Sequence, residues 1–330
     1  MEKRIISSDL QLEDKDIDLN IRPLTLEEYI GQTAIKDNIK IFIEAAKQRE
    51  EALDHVLLYG PPGLGKTTMA GVIASEMNVK FKVTSGPAIE RPGDIAAILN
   101  NLQHGDILFI DEIHRMSRQV EEVLYSAMED YCIDIVVGKG PAAKSIRLSL
   151  PKFTLIGATT KIGSLSPPLR DRFGIIFKFN YYNNIDISNI IKRSAKIYNS
   201  IIDNPSIEYL SNRTRGTPRI ANRLLKRCAD YALILNNNII NIDICISTMD
   251  KLQIDSLGLE HIEILYLKTI IDRYNGGPVG IGAIKSIINE NTNTLEDIYE
   301  PYLIKLGLIN RTSKGRIVTD KGYKHISNNS

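Results

Sequence analysis

Residues 60–67, Gly-Pro-Pro-Gly-Leu-Gly-Lys-Thr, fit the pattern G-x-x-x-x-G-K-[ST]. Glycines at these positions let successive backbone N–H groups converge on phosphate oxygens. Lys66 adds a point charge for β- and γ-phosphates, and the hydroxyl of Thr67 suits a Mg²⁺ ion. The candidate phosphate-binding set is Gly60, Gly63, Leu64, Gly65, Lys66, Thr67 and Thr68. Asp111 and Glu112 close a later apolar run, the kind of strand end where open α/β sheets hold their ligands. There Asp111 would hold Mg²⁺, directly or through water. Glu112 would polarise an attacking water, since phosphoryl transfer needs mostly positioning and charge stabilisation.

Thr159 and Thr160 end a third apolar run, and either hydroxyl could reach a γ-phosphate or the water. Residues 167–173 (PPLRDRF) carry Arg170 and Arg172. A guanidinium bridges phosphate oxygens in a bidentate fork, and one that arrives from a neighbouring subunit is an arginine finger. Arg219 opens a helical pattern within 213–227, a stretch of six basic residues and no acid. That stretch reads either as a solvated basic face or as a carrier that brings Arg219 to the γ-phosphate. His114 reads as a solvent-facing residue at a helix start.

Positioning these groups takes a parallel sheet. Apolar runs at His55–Tyr59, Asp106–Ile110 and Phe153–Ala158 read as short buried strands, and a helical pattern over Lys66–Met77 follows the first. Strands alternating with helices imply crossover connections. Helical periodicity also runs from about Thr25 past Gly31 to Glu51, and residues 133–150, with Gly138 and Gly140 near the middle, read as an inserted β-hairpin. From about Asn183 the strand signal ends, and 185–203, 205–215 and 217–235 are helical in pattern. A third unit has helical patterns at 260–274, 280–290 and 294–306, then strand-like runs at Leu308–Arg311 and Arg316–Thr319 flanking Ser313-Lys314-Gly315. Helices followed by a short hairpin is the order of a winged helix. The expected fold class is α/β: a P-loop domain with a parallel sheet (1–182, with 1–20 as a loose arm), a small helical lid (183–255) and a winged-helix head (256–330).

The chain has 330 residues, enough for two or three domains at roughly 100–200 residues each. Hydrophobic residues at 43% and charged residues at 25% exclude a wholly disordered or collagen-like chain. With 41 Lys+Arg against 40 Asp+Glu, nucleic-acid binding must be argued from local patches rather than net charge. Cys132, Cys228 and Cys245 have neither C-x-x-C nor Cys/His metal spacing, so neither a disulfide framework nor a zinc site is expected. No secretory leader is read at the N-terminus, and no apolar run approaches the ~18 residues a membrane span needs. The expectation is a cytoplasmic protein without membrane association.

These motifs, at these separations, resemble the AAA+ ATPases: GPPGLGKT, DEIH (111–114), GATT (157–160) and GTPR (216–219). Within that class, residues 21–32 (IRPLTLEEYIGQ), 128–131 (MEDY), 168–174 (PLRDRFG), 276–280 (GGPVG) and 300–307 (EPYLIKLG) resemble the RuvB family of Holliday-junction branch-migration motors. The resemblance covers about residues 20–320. It implies ATP and ADP binding with Mg²⁺, a homohexameric ring with nucleotide between subunits, and duplex and Holliday-junction DNA as substrate. It also implies docking of RuvA on the 133–150 hairpin, whose tip is 138–143, and a RuvC-type resolvase in the same pathway. Carried over residue by residue, Thr160 corresponds to sensor 1, with Thr159 as the adjacent alternative. Arg219 corresponds to sensor 2. Arg172 corresponds to the finger acting in trans, with Arg170 as fallback. Ile21, Arg22, Tyr29 and Tyr182 border the base, and Glu129, Asp130 and Tyr131 face the next subunit's nucleotide.

Residues 302–330 hold six basic residues and a single acid, Asp320. Arg311, Lys314 and Arg316 bracket the tight turn of the wing, which suits contact with phosphates and requires no base reading. A second reading, a nucleotide-gated loader or initiator that turns over once per event, uses the same ATPase residues. The inserted hairpin and the matches at 128–131 and 276–304 favour the motor.

Overall fold

The computed structural model describes residues 21–137 and 144–328. The expected arm at 1–20 and the hairpin tip at 138–143 lie outside the described residues. The chain divides between Tyr182 and Asn183 into two compact units.

The first unit is built on a parallel sheet of order β2-β3-β6-β1-β7. Its strands are β1 (Val56–Tyr59), β2 (Phe81–Ser85), β3 (Ile107–Asp111), β6 (Thr154–Thr159) and β7 (Ile175–Lys178). The three strands legible from apolar runs are the central ones, whose residues are almost wholly buried because helices cover both faces. β2 and β7, which no apolar run announced, are edge strands and only partly buried. The helices are α1 (Thr33–Arg49), α2 (Lys66–Met77), α3 (Pro92–Asn100), α4 (Arg118–Glu129) and the single turn α5 (Pro167–Arg170). α1 is shorter than the periodicity suggested. Gly31 and Gln32 both adopt positive φ (78° and 51°), so residues 25–32 form turns rather than a first helical segment. Those turns are pinned by Gln32, whose side chain bonds the backbone of Asn180 at 2.6 and 3.3 Å. β4 (Cys132–Val137) and β5 (Lys144–Ser149) form the antiparallel hairpin. Its base sits on α4 and Phe153, in a core that includes Leu108, Leu124, Ile133 and Leu150.

The second unit begins with α6 (Asn184–Ile197), β8 (Ile201–Ile202), α7 (Asn204–Ser211), α8 (Pro218–Leu235), β9 (Ile239–Ile240) and α9 (Ile242–Lys251). This part is not purely helical, because β8 and β9 pair in parallel. Side chains of Asn183, Asp203 and Asn241 cap α6, α7 and α9 by accepting from the third backbone N–H, which is why each helix starts where it does. Next come α10 (His261–Tyr274), α11 (Ile281–Ile288), a π-turn (Leu295–Tyr299), α12 (Glu300–Lys305), the wing β10 (Ile309–Thr312) and β11 (Gly315–Val318), and α13 (Asp320–Asn328). Tyr266, Leu267, Tyr299, Leu303 and Ile309 lie in its core. Among the described residues, no helix is long and apolar enough to cross a membrane.

Candidate nucleotide site

Because β6 lies between β1 and β3, three loops leave the same edge of the sheet side by side. They carry the glycine-rich turn after Tyr59, the acid pair after Ile110 and the threonine pair after Ala158. Tyr59 pairs with Thr159 in the β1–β6 ladder, and the Gly60 N–H continues it to the Thr159 carbonyl.

The loop needs its glycines. Gly60 has φ 143°, and a Cβ there would stand 2.6 Å from the Phe179 carbonyl oxygen. Gly65, at φ 93°, caps α2, and its Cβ would meet the Tyr29 hydroxyl at 2.6 Å. Leu64 is buried and anchors the loop, and Thr67 and Thr68 are partly exposed in the first turn of α2. Lys66 is buried, and its ammonium donates to the carbonyls of Gly60 and Pro61 at 2.9 Å each. The cation therefore sits inside the curl of the loop, where converging N–H groups favour an anion.

Behind the loop, Tyr29 and Tyr182 are both buried, with their hydroxyls 3.1 Å apart. Tyr29 reaches the Gly65 carbonyl at 3.3 Å, and Tyr182 donates to the Leu64 carbonyl at 3.2 Å. Burial, and then Tyr182, push the Tyr29 phenol well above its ordinary range. The pair therefore holds the phosphate loop by neutral hydrogen bonds. Ile21 is buried and Arg22 half-buried in the same unit.

Glu112 takes a left-handed backbone (φ 48°), and its N–H donates to Asp111 Oδ1 at 2.9 Å. Glu112 Oε2 accepts from Thr160 Oγ1 at 3.3 Å and lies 3.3 Å from His114 Nδ1. Thr159 is fully buried, and its hydroxyl meets His114 Nδ1 at 3.0 Å. The two threonines thus part company: Thr160 faces the acid, and Thr159 faces the imidazole.

His114 departs from expectation. Its side chain is only 11% exposed and is wedged between Glu112 and Thr159. Burial lowers its pKa against the pull of Glu112, so the ring is held neutral. A carboxylate only accepts, so the tautomer that bonds Glu112 carries its proton on Nδ1. The signal for this was a polar residue three positions beyond the acid that ends a buried strand.

Arg172 is partly buried. Nη2 bonds Glu129 Oε2 at 2.6 Å, Nη1 the Pro168 carbonyl at 2.8 Å, and the guanidinium carbon lies 4.8 Å from the centre of the Tyr125 ring. Arg170 is looser, 3.8 Å from Asp171. A network that no motif announced underpins this loop. The buried Glu121 carboxylate accepts from Ser166 Oγ at 2.6 Å and from the Tyr125 hydroxyl at 3.3 Å, and Ser166 caps α5. Asp130 follows Glu129 as the cap of α4. Tyr131 (φ 49°) packs edge-on to Phe153.

In the second unit, Arg219 is the second residue of α8, after Thr217 and Pro218. The stretch around it is not a solvated basic face, because Arg223 is buried and the Arg215 side chain is 9% exposed.

The expectation for Arg316 must be corrected. Arg316 is 8% exposed and turned inward, bonding Glu296 at 2.5 Å and Glu300 at 2.8 Å. A guanidinium held by two carboxylates in the domain interior is structural and is not presented to a phosphate. Arg311 keeps about half of its side chain exposed (47%) yet is also bonded to Glu300. Lys314 is exposed at the turn of the wing. Accordingly, Lys314→Ala is expected to weaken duplex binding at every sequence and to reduce the salt slope by about one. A titration across salt concentrations with an unchanged slope would remove Lys314 from the contact surface.

A glycine-rich phosphate loop, an acid pair and a threonine pair on adjacent strand ends, followed by a helical lid, define a P-loop ATPase of the AAA+ class. Models of three RuvB domains match in succession: the Holliday junction DNA helicase RuvB P-loop domain over 21–179, the RuvB AAA lid domain over 182–255 and the RuvB C-terminal winged helix domain over 256–327. Among solved structures, the Thermotoga maritima RuvB Holliday junction branch migration motor is 47% identical. That match covers 93% of this chain and 98% of the other, with a TM-score of 0.82. A point mutant of the same Thermotoga protein matches at 48% identity, the same coverage and a TM-score of 0.83. The chain belongs to the RuvB family.

Proposed function

We propose that this chain is the ATP-hydrolysing motor of a branch-migration complex, working as a homohexameric ring that draws duplex DNA out of a Holliday junction during recombination and repair. The observation that carries this reading is the alignment of Lys66, Asp111–Glu112 and Thr160 on neighbouring strand ends, in a chain that also bears a lid and a winged-helix head.

In this reading the three segments 1–182, 183–255 and 256–330 are the ATPase, lid and head domains. The loop from Gly60 to Thr68 cradles the ATP phosphates, with the base against Ile21, Arg22, Tyr29 and Tyr182. Oxygen donors fit Mg²⁺. The Thr67 hydroxyl and the Asp111 carboxylate are hard oxygen ligands of the kind that hold Mg²⁺ together with substrate phosphates. Held by Thr67 and Asp111, Mg²⁺ would supply charge neutralisation at the phosphates.

Glu112, oriented by Thr160 and His114, accepts a hydrogen bond from the attacking water and aligns it with the γ-phosphate. Thr160 serves as sensor 1. Thr159 fixes the His114 ring. Arg219 senses the γ-phosphate in cis. Arg172 supplies the finger in trans once it exchanges Glu129 for phosphate, with Glu129, Asp130 and Tyr131 lining the side presented to the neighbour. The 133–150 hairpin docks RuvA, and a RuvC-type resolvase acts in the same pathway. Lys314 and the exposed part of Arg311 lie against the DNA backbone.

The deciding experiment is dissociation of a synthetic four-way junction with ATP and Mg²⁺, with and without RuvA. Movement that requires RuvA and vanishes in Lys66→Ala supports the motor. ATP hydrolysis without junction movement would favour a nucleotide-gated loader.

A further inference from the structure

The turn that carries Arg219 is also the place where the lid is fastened to the head. Arg215, four residues upstream, adopts a left-handed backbone (φ 58°). Its Nη1 and Nη2 donate to the two oxygens of Glu263 at 2.7 and 2.6 Å. Nε and Nη2 also donate to the Gly258 carbonyl at 3.0 and 2.6 Å. The guanidinium lies over the Tyr302 ring, 4.4 Å from its centre. Both ends of the ion pair are buried, with side-chain exposures of 9% for Arg215 and 0% for Glu263.

Every partner of that guanidinium belongs to the connection or to the head. Gly258 lies in the segment between α9 and α10. Glu263 is in the first turn of α10 and closes a capping box by accepting from the Glu260 N–H at 2.9 Å. Tyr302, on α12, donates to the Leu257 carbonyl at 2.8 Å. Lys305, also on α12, donates to the carbonyl of Arg215 itself at 3.3 Å. The connecting segment is further pinned by Asp255, which accepts from the N–H groups of Leu257 and Leu259 and lies 2.7 Å from His325 Nε2 on α13. Gly258 is packed so tightly that a Cβ would stand 2.3 Å from the Arg213 carbonyl.

A surface ion pair at a domain junction would permit hinge motion. A buried bidentate fork with two further bonds to a backbone carbonyl does not, because opening it strands a charge on each side. From Arg215 to Arg219 the chain has little slack: Thr217 N–H bonds the Thr214 carbonyl at 3.0 Å, and Pro218 begins α8.

We propose that Arg215 is a positioning residue that transmits nucleotide state from Arg219 to the DNA-binding head, its fork to Glu263 and Gly258 making lid and head a single lever. This rests on the motor reading, in which Arg219 senses nucleotide and the head holds DNA. The lever converts a displacement of the Arg219 turn into an equal rotation of the head. Without the fork, hydrolysis and head movement separate.

The test uses full-length protein with Arg215→Lys, which keeps the charge but loses the fork, and Glu263→Gln as an independent second variant. Spin labels at Leu235→Cys on the lid and Lys324→Cys on the head, both exposed positions, report the lid–head distance distribution. Expected in the unmodified pair is one narrow distribution, unchanged by ATP. Expected in either variant are a broadened distribution, basal ATPase within about two-fold of normal, and DNA stimulation and junction movement reduced at least ten-fold. A narrow distribution with full DNA stimulation in the variants overturns the proposal. So does a loss of basal and stimulated turnover in equal proportion. An inactive parent protein would instead overturn the motor reading, while the distance distributions still decide whether Arg215 holds lid and head together.

Discussion

Glu112→Gln is expected to bind ATP with near-normal affinity and to hydrolyse it about 10²- to 10³-fold more slowly, in line with loss of a positioned base. The affinity should survive because the groups proposed to grip phosphate belong to a different strand and helix: the loop after β1, and Lys66 at the start of α2. The rate should not survive. An amide is isosteric, but it carries no charge with which to polarise water. Its environment was also assembled for an acceptor, with Thr160 donating and His114 presenting Nδ1 to the same oxygen. Thr160→Val removes one 3.3 Å hydrogen bond and leaves the carboxylate in place, so its loss should be smaller, about ten-fold, from misorientation alone. Binding of a fluorescent ATP analogue and single-turnover phosphate release separate the two effects. A Glu112→Gln rate within a few-fold of normal would transfer the base to another group.

Much of this site was legible because its chemistry needs particular residues at short spacings. A phosphate loop must have glycine where φ is positive, as at Gly60 and Gly65, and an acid at a strand end must follow an apolar run, as Asp111 follows Ile107–Ile110. Central strands declared themselves by burial on both faces. β2 and β7 did not, because an edge strand that is half in solvent has no continuous apolar run. The start of α1 is hidden in the sequence for a different reason. Apolar residues at 21, 26, 29 and 30 keep a helical period while turns at Gly31 and Gln32 break the chain. Hardest to read were charges whose partners are distant in sequence. Arg215 finds Glu263 48 positions away, and Arg316 finds Glu300 16 positions away. A basic run therefore looked like a surface when part of it was interior. Local spacing reveals a motif but cannot say on which side of the fold a cation ends.

Replacing Glu300 by Ala is expected to destabilise the head by about 3–5 kcal/mol, the range for removing one partner of a buried ion pair. Glu300 has no exposed side-chain surface. Its Oε1 accepts from the Tyr266 hydroxyl at 2.6 Å and Arg316 Nε at 2.8 Å, and its Oε2 accepts from Arg311 Nε at 3.0 Å and Arg316 Nη2 at 3.3 Å. Truncation would leave the inward-turned Arg316 with Glu296 as its remaining carboxylate and would orphan the Tyr266 hydroxyl. Burial alone would raise the Glu300 pKa. Hydrogen bonds from Arg316, Tyr266 and Arg311 outweigh it and hold the carboxyl below its usual value. Because the folded pKa is depressed, this stabilisation is fully present above the unfolded carboxylate value of about 4.3 and is lost as pH falls through the lower folded value. Denaturant unfolding of the full chain should therefore show a head transition that weakens in acid, and Glu300→Gln should flatten that part of the pH dependence while lowering stability at neutral pH. An Ala variant that unfolds at the parent midpoint would mean that water or Glu296 compensates Arg316. Arg316 would then be free to turn outward, and a phosphate contact from the wing would again be open to it.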